Sequence, residues 1–386
     1  MLHVDPNEYY GGQDAALSLH EAEEWAAKNR GSEPGAFFTA AATTKPEGPS
    51  APSSRAYSIA LAPQLVHTAS DLLAQLVSSR AHRQLEFLAV GSFFIFKPPS
   101  GADAEPALAR IPSTREDVFS ATSIPVRSKR QLMKFLKFVL DYDGAEQAPL
   151  WRPHADAPLS GFLGTAFGLS EELRAYILTL TLSLDGRVSV RDGLAAIHKH
   201  LTSTGRLGTG FAAVYAKWGG TSEVAQVACR AGAVGGAVYM LGTGIDEVKA
   251  ATESDYALQI QLTSGVTVKA KALVRGSEEA QKESERLARL AVVVGSPLSQ
   301  LFEVVVEGAP TPAVAVVAFP PGSVGLGDSE HSQYPVYAFA HSSDTGECPS
   351  GQSKCTPHLA AATSLKCNDD PNLEYLSTLS EQMLCR

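Results

Sequence analysis

The chain begins Met1-Leu2-His3-Val4-Asp5, a short apolar strand ending in a carboxylate, and runs at once into Pro6-Asn7-Glu8-Tyr9-Tyr10-Gly11-Gly12. In a nucleotide-binding βαβ unit the first strand feeds a glycine loop, a helix follows, and the second strand ends in an acid that hydrogen-bonds a ribose hydroxyl. Here the acid stands without the loop. Two expectations follow: either about 30 residues, the size of a βαβ unit, are missing ahead of it, or the loop is not used to hold a phosphate. Both point away from a working flavin or nicotinamide enzyme.

At 386 residues the chain exceeds the roughly 250 to 300 residues at which single cores stop growing, so two domains are expected. Hydrophobic residues make up 44% of it, and 41 acidic against 32 basic residues leave a formal charge of -9. That balance argues against general nucleic-acid binding and suits a basic protein surface or tail as partner. No basic flank precedes an apolar signal core, and no apolar run reaches the roughly 18 residues of a spanning helix, so a cytoplasmic protein is expected. The five cysteines are Cys229, Cys348, Cys355, Cys367 and Cys385, and the last four share the C-terminal region with His341 and His358. No Cys-x-x-Cys pair supplies the usual zinc knuckle, which leaves reduced thiols as the plain reading and no metal site is assigned.

Residues 42–55 and 97–112 are rich in Pro, Ser, Gly and Ala without apolar periodicity and read as loops. Between them Tyr57 to Leu61 reads as extended, Gln64 to Ser79 as a helix, and Leu85 to Phe96 as a hairpin about Gly91. From Ser123 to Tyr142 the period changes: Leu132, Met133, Phe135, Leu136, Val139 and Leu140 recur at helical spacing, with Arg127, Lys129, Arg130, Lys134 and Lys137 between them. Gly168 to Leu184 and Ser189 to Ser203 continue the helical region, and Ser170 ahead of Glu171 and Glu172 is an N-cap signal. Strands return after residue 204, with a hairpin over Leu258 to Val274 turning at Ser264-Gly265 and β runs at Phe302 to Val306, Ala313 to Phe319 and Pro335 to His341.

The densest stretch is Gly219-Gly220-Thr221-Ser222-Glu223-Val224-Ala225-Gln226-Val227-Ala228-Cys229-Arg230, followed by Gly235-Gly236-Ala237-Val238-Tyr239-Met240. It pairs no nucleophile with a base. It reads as a glycine turn, a short helix capped by Ser222, and a second glycine turn feeding a strand. Gly208-Thr209-Gly210-Phe211-Ala212-Ala213 fits GxGxxA but follows a polar helix end instead of a strand. Glu171-Glu172 and Asp369-Asp370 read as cap and turn residues. No catalytic constellation is assigned.

The Tyr9-Tyr10-Gly11-Gly12 segment and the Glu223 to Met240 block together resemble the Rab escort protein and GDP-dissociation-inhibitor family. Tyr57-Ser58-Ile59-Ala60-Leu61 and Glu86-Phe87 resemble a further family block that is core. The helix around Lys129-Arg130-Gln131-Leu132-Met133-Lys134-Phe135-Leu136 and the segment Gly346-Glu347-Cys348-Pro349-Ser350-Gly351-Gln352 are similar to the escort branch. The resemblance implies an FAD-monooxygenase-like, GDI-type discontinuous α/β domain (residues 1–119 and 204–386) with an inserted all-helical domain (120–203).

It further implies a non-catalytic accessory component of Rab geranylgeranyltransferase with no cofactor. Such a component binds unprenylated, GDP-bound Rab GTPases on a platform of Tyr10, Glu223, Arg230 and Met240. It presents them to the αβ transferase, shelters the geranylgeranyl lipid and contacts membranes transiently. Phe162 and Arg174 are the positions implied for the transferase contact, with core packing as the competing reading of Phe162. The alternatives are a Rab GDP-dissociation inhibitor and a flavin-dependent oxidoreductase of similar fold.

Overall fold

A computed structural model describes residues 1–31, 36–44, 53–99, 105–112, 115–120, 124–251, 255–276, 287–323 and 333–360. The strands are β1 (Leu2–Val4), β2 (Ala16–Leu17), β3 (Ile59–Ala60), β4 (Val66–His67), β5 (Phe87–Lys97), β6 (Ala107–Arg110), β7 (Ala213–Ala216), β8 (Val238–Met240), β9 (Ile245–Ala250), β10 (Leu258–Leu262), β11 (Thr267–Ala270), β12 (Leu287–Arg289), β13 (Val292–Val294), β14 (Val314–Phe319), β15 (Val336–Ser342) and β16 (Ser353–Ala360). The helices are α1 (Leu19–Lys28), α2 (Asp71–Ser78), α3 (Arg115–Ser120), α4 (Val126–Leu140), α5 (Ala148–Trp151), α6 (Leu159–Phe167), α7 (Glu171–Thr179), α8 (Val190–Ser203) and α9 (Thr221–Val234). Among the described residues no helix is long and apolar enough to cross a membrane.

The chain divides into two compact units, each assembled from separated stretches: 1–64, 76–86 and 216–284 in the first, 65–75, 87–215 and 285–386 in the second. The second holds a mixed sheet ordered β12-β16-β15-β14-β5-β7-β4, with β13 also on β16 and β6 on β5. Its central strands β14 and β15 are buried along their whole length. Continuous apolar runs such as Val-Ala-Val-Val-Ala-Phe are what a strand covered on both faces requires.

The helices α4 to α8 bury one stripe each. In α4 it is Leu132, Phe135, Phe138 and Val139, which follow the helical period and join Phe162 and Phe167 of α6 in the same core. Helix α7 starts where Ser170 Oγ accepts from the Leu173 amide at 3.4 Å, with Glu171 and Glu172 in its first turn. Ser189 caps α8 in the same way, accepting from the Asp192 amide at 3.1 Å.

In the first unit, β1 and β8 pair in parallel with Leu2 opposite Val238, His3 opposite Tyr239 and Val4 opposite Met240. A separate antiparallel meander, β9-β10-β11, turns at Gly265 in the left-handed region. Ala15, Leu17 and Leu61 form the centre of a small core with Tyr9, Ala22, Trp25 and Phe38 around it.

Several local expectations are corrected. No hairpin forms about Gly91: β5 continues through it, paired with β14 and β6, with a register shift against β14 between Val90 and Phe93. The glycine answers a close approach, since a Cβ there would lie 2.5 Å from Pro312 Cβ. The stretch read as a helix from Gln64 opens instead with β4, which pairs Val66 with Val214 and His67 with Ala213, and α2 begins only at Asp71. The loop read over 97–112 contains β6. The run Phe302 to Val306 forms no strand: a 3-10 turn ends at Phe302, and Val304 and Val305 stand exposed, β-forming residues with no neighbouring strand to pair with. The region 42–55 lies mostly outside the described residues, as do Ser123, Cys367, Cys385, Asp369 and Asp370.

Candidate functional site

The glycine pair ahead of α9 is forced by packing. Gly219 has φ +140, and a Cβ there would lie 2.5 Å from Ala16 Cβ and 2.7 Å from Ser222 Oγ. Gly220, at φ 67 and ψ -131, is the N-cap, so Ser222 does not cap the helix as its sequence context suggests; it is buried in the first turn. Thr221 Oγ1 fastens this end by donating to Asp14 Oδ1 at 3.1 Å. Helix α9 then runs for 14 residues.

Glu223 and Arg230 are seven positions apart, two turns, and therefore share a face of α9. Burial raises the Glu223 carboxyl pKa and the Arg230 guanidinium opposes that rise, so the two groups interact along the helix. Arg230 is exposed and its Nη1 donates to Gln84 Oε1 at 3.4 Å.

Past α9, Gly235 and Gly236 turn the chain into β8, with Gly236 at φ +85. Tyr239 stacks on His3 at 5.2 Å and meets Tyr10 edge-on at 5.9 Å, and Tyr10 lies 5.3 Å from His3. The Tyr239 hydroxyl occupies the space a Cβ on Gly232 would need, which seats this aromatic cluster against α9. Burial raises the Tyr10 phenol pKa, with smaller contributions from Cys229 on α9 and from Tyr239. Tyr10 is thus held beside β8 by His3 and Tyr239. Met240 follows Tyr239 on β8, and successive side chains of a strand point to opposite faces, so Met240 is half-buried on the side away from the Tyr10 cluster.

Asp5, the acid expected at a ribose, is half-buried and bonds locally: its Oδ1 accepts from the Asn7 amide at 2.8 Å and from Asn7 Nδ2 at 2.9 Å. The GxGxxA run leads into β7, and Gly210, at φ +85, packs where a Cβ would lie 2.9 Å from Ala309 Cβ.

Phe162 is 5% exposed, with its ring 5.8 Å from that of Phe167 and 6.4 Å from that of Phe138. It is a core residue. Arg174, on α7, donates through Nη1 to the Ser160 carbonyl of α6 at 3.4 Å.

Of the C-terminal His and Cys residues, His341 serves a buried polar network centred on Glu347. Glu347 Oε1 accepts from Lys354 Nζ at 2.6 Å and from the Tyr215 hydroxyl at 3.0 Å, and Oε2 lies 2.7 Å from His341 Nδ1. Burial pushes the Cys348 thiol up to about 11 and that of Cys355 up to about 12, so both are protonated thiols at neutral pH. Among the described residues no group of three or more His, Cys, Asp or Glu side chains is arranged to hold a metal ion.

Sequence reasoning passed over Trp218, Gln84, Asp14 and Tyr239. Trp218 carried a signal in being an aromatic set directly against a Gly-Gly pair; Gln84 and Asp14 carried none, because only the folded chain brings them to α9.

The profile described as GDI, GDP dissociation inhibitor, matches residues 1–301. The "Rab proteins geranylgeranyltransferase component A" of Saccharomyces cerevisiae is 31% identical over 357 residues, covering 91% of this chain and 56% of that protein. The chain thus spans about half the length of that relative. A "Rab GDP-dissociation inhibitor" of Pyricularia oryzae is 25% identical over 407 aligned residues, covering 100% of this chain and 80% of its own. Among solved structures, a Rab GDI from Plasmodium falciparum superposes with a TM-score of 0.66 at 15% identity, covering 98% of this chain and 80% of the other. An oxidoreductase from Methanosarcina mazei gives 0.52 at 10% identity, covering 100% and 83%. The two superpositions define the fold as the α/β architecture shared by Rab GDI and an oxidoreductase, as expected. From the profile match over residues 1–301, the chain belongs to the GDP dissociation inhibitor family.

Proposed function

We propose that the chain acts as a Rab escort protein: it binds unprenylated, GDP-bound Rab GTPases and hands them to Rab geranylgeranyltransferase as an accessory, non-catalytic component. The observation that carries this reading is the similarity to the yeast component A over 91% of this chain. In this reading the exposed Arg230 and half-buried Glu223 on one face of α9, with Tyr10 against the same helix, form the contact for the GTPase. An Arg fork and a carboxylate give charge-assisted hydrogen bonds, and Tyr supplies rigid amphipathic area. Met240 adds adaptable apolar surface from the other side of β8.

The helical segment 120–203 is the inserted domain of this reading. It would face the αβ transferase and shelter the geranylgeranyl lipid, and contact with a membrane would be transient, from the cytoplasm. Arg174 is the more accessible of the two residues proposed for the transferase; Phe162 would have to leave its core to take part. In this reading the chain uses no flavin and carries no redox step.

A Rab GDP-dissociation inhibitor is the second reading, favoured by the Pyricularia match, which spans 80% of that protein. The two differ in substrate. Calorimetric titration with GDP-loaded Rab, lipid-free and geranylgeranylated, separates them: an escort protein binds the lipid-free form tightly, an inhibitor binds only the lipidated form, and no binding of either rejects both.

A further inference from the structure

Trp218 is 53% exposed and adopts φ +76. A bulky residue in the left-handed region is an outlier that its surroundings must hold in place. Here they do so from both sides. Its carbonyl accepts from Ser58 Oγ at 2.8 Å, and the following Gly219 is wedged against Ala16. On the other side the Lys217 amide donates to the Glu86 carbonyl at 3.0 Å, while the Lys217 ammonium pairs with Glu86 Oε1 at 3.0 Å and lies 4.9 Å from the indole centroid. The backbone is fixed while the ring is left in solvent, although burying an indole would stabilise the fold. Its Nε1–H has no partner among the described residues.

The same short segment ties Trp218 to Arg230. Gln84 receives the Arg230 guanidinium and Glu86 receives Lys217. Two residues span at most about 7 Å of backbone. The two contacts are thus anchored side by side.

We propose that Trp218 is a preorganised aromatic anchor of the partner-binding face, inserting its indole into an apolar pocket on the GTPase and donating Nε1–H to an acceptor there. This rests on the reading of Arg230 as part of that face. Tryptophan and arginine are the residue types that dominate binding energy at such surfaces, and a ring already held in its bound orientation loses little freedom on docking.

The test measures the affinity of the full chain for GDP-loaded, lipid-free Rab with three proteins: wild type, Trp218→Ala and Arg230→Ala, each checked for an unchanged melting temperature. Weakening of at least tenfold by Trp218→Ala is expected, mostly in the dissociation rate. Weakening by Arg230→Ala with Trp218→Ala unchanged overturns the anchor and leaves the α9 face standing. Weakening by Trp218→Ala alone supports the anchor and removes Arg230 from the face. No effect of either variant, or no binding by wild type, overturns both.

Should Trp218→Ala fail to fold, the wild-type chain labelled with 5-fluorotryptophan is used instead. It has three tryptophans, Trp25, Trp151 and Trp218, and the Trp218 fluorine resonance is assigned with Trp218→Phe. Saturating Rab should shift that resonance and leave the buried Trp151 in place. An unshifted Trp218 resonance overturns the proposal.

Discussion

Lys354 donates to Glu347 at 2.6 Å with neither side chain exposed to solvent. Tyr215 and His341 close around the same carboxylate, joining the strand β15 and the segment before β16 to the end of β7. A buried ion pair adds little net stability but is costly to break from one side, because the remaining charge stays desolvated.

Glu347→Gln should therefore destabilise the fold by about 3 to 5 kcal/mol. The double change Glu347→Leu with Lys354→Met should recover much of that loss. Urea denaturation midpoints of the three proteins check this; a single variant within 1 kcal/mol of wild type, taking about 1.4 kcal/mol per tenfold change in the folding constant, would mean the pair is solvated.

Acid should unfold the second unit from near neutral pH downward. Burial depresses the His200 pKa to about 4 and that of His358 to about 3, from 6.5. Their unfolded forms take up protons at 6.5 while the folded forms do not, so stability is full above 6.5 and falls as pH drops toward 4 and 3. Each group contributes about 1.4 kcal/mol per pH unit across its window. Burial alone would raise Glu347, but Lys354 and His341 hold it at about 2, below 4.5, so its stabilisation is lost between 4.5 and 2. Denaturation midpoints at pH 7.5, 6 and 5 should fall in that order, and His200→Gln should flatten the profile; a flat wild-type profile would contradict the burial of these rings.

Gly219→Ala should destabilise by about 1 to 3 kcal/mol or more, since it adds an overpacked methyl to a left-handed backbone. Gly12→Ala is the contrast: its φ is also positive, but no atom lies within 4 Å of the new Cβ. Melting temperatures of the pair separate backbone strain from steric overlap. Equal shifts would mean that Ala16 moves aside.

How far the sequence was legible follows from which of these features are local. Ser170 announced a helix start because a cap needs only the next three amides, whereas Ser222, read by the same rule, lies inside the first turn behind the Gly220 cap. Leu132, Phe135 and Val139 announced α4 through their spacing. Gly265 marked a turn correctly, whereas Gly91, read by the same rule, lies inside a strand; what decides between them is Pro312, more than two hundred residues away. The helix that carries Glu223 and Arg230 was legible between its two glycine turns, and their pairing was implied by the family resemblance. The side of β8 that Met240 takes follows from strand alternation, whereas the Gln84 contact and the exposed φ-positive Trp218 depend on packing that no local period encodes.

Arg230→Ala should leave the melting temperature within about 0.5 kcal/mol equivalent of wild type, as expected for an exposed side chain. Removing one charged member of a proposed interface typically weakens binding by about 2 kcal/mol or more when it is a hot spot, close to 30-fold. Titration with GDP-loaded Rab reads both outcomes on one sample; undiminished affinity would take Arg230 out of the contact.

The most direct test of the account is reconstituted prenylation: a lipid-free Rab, the αβ geranylgeranyltransferase and labelled geranylgeranyl diphosphate, with and without this chain. The account predicts transfer of label to Rab only when the chain is present, reduced by Arg230→Ala. Label transfer that is the same with and without the chain, or none in either case despite an active transferase, would contradict it.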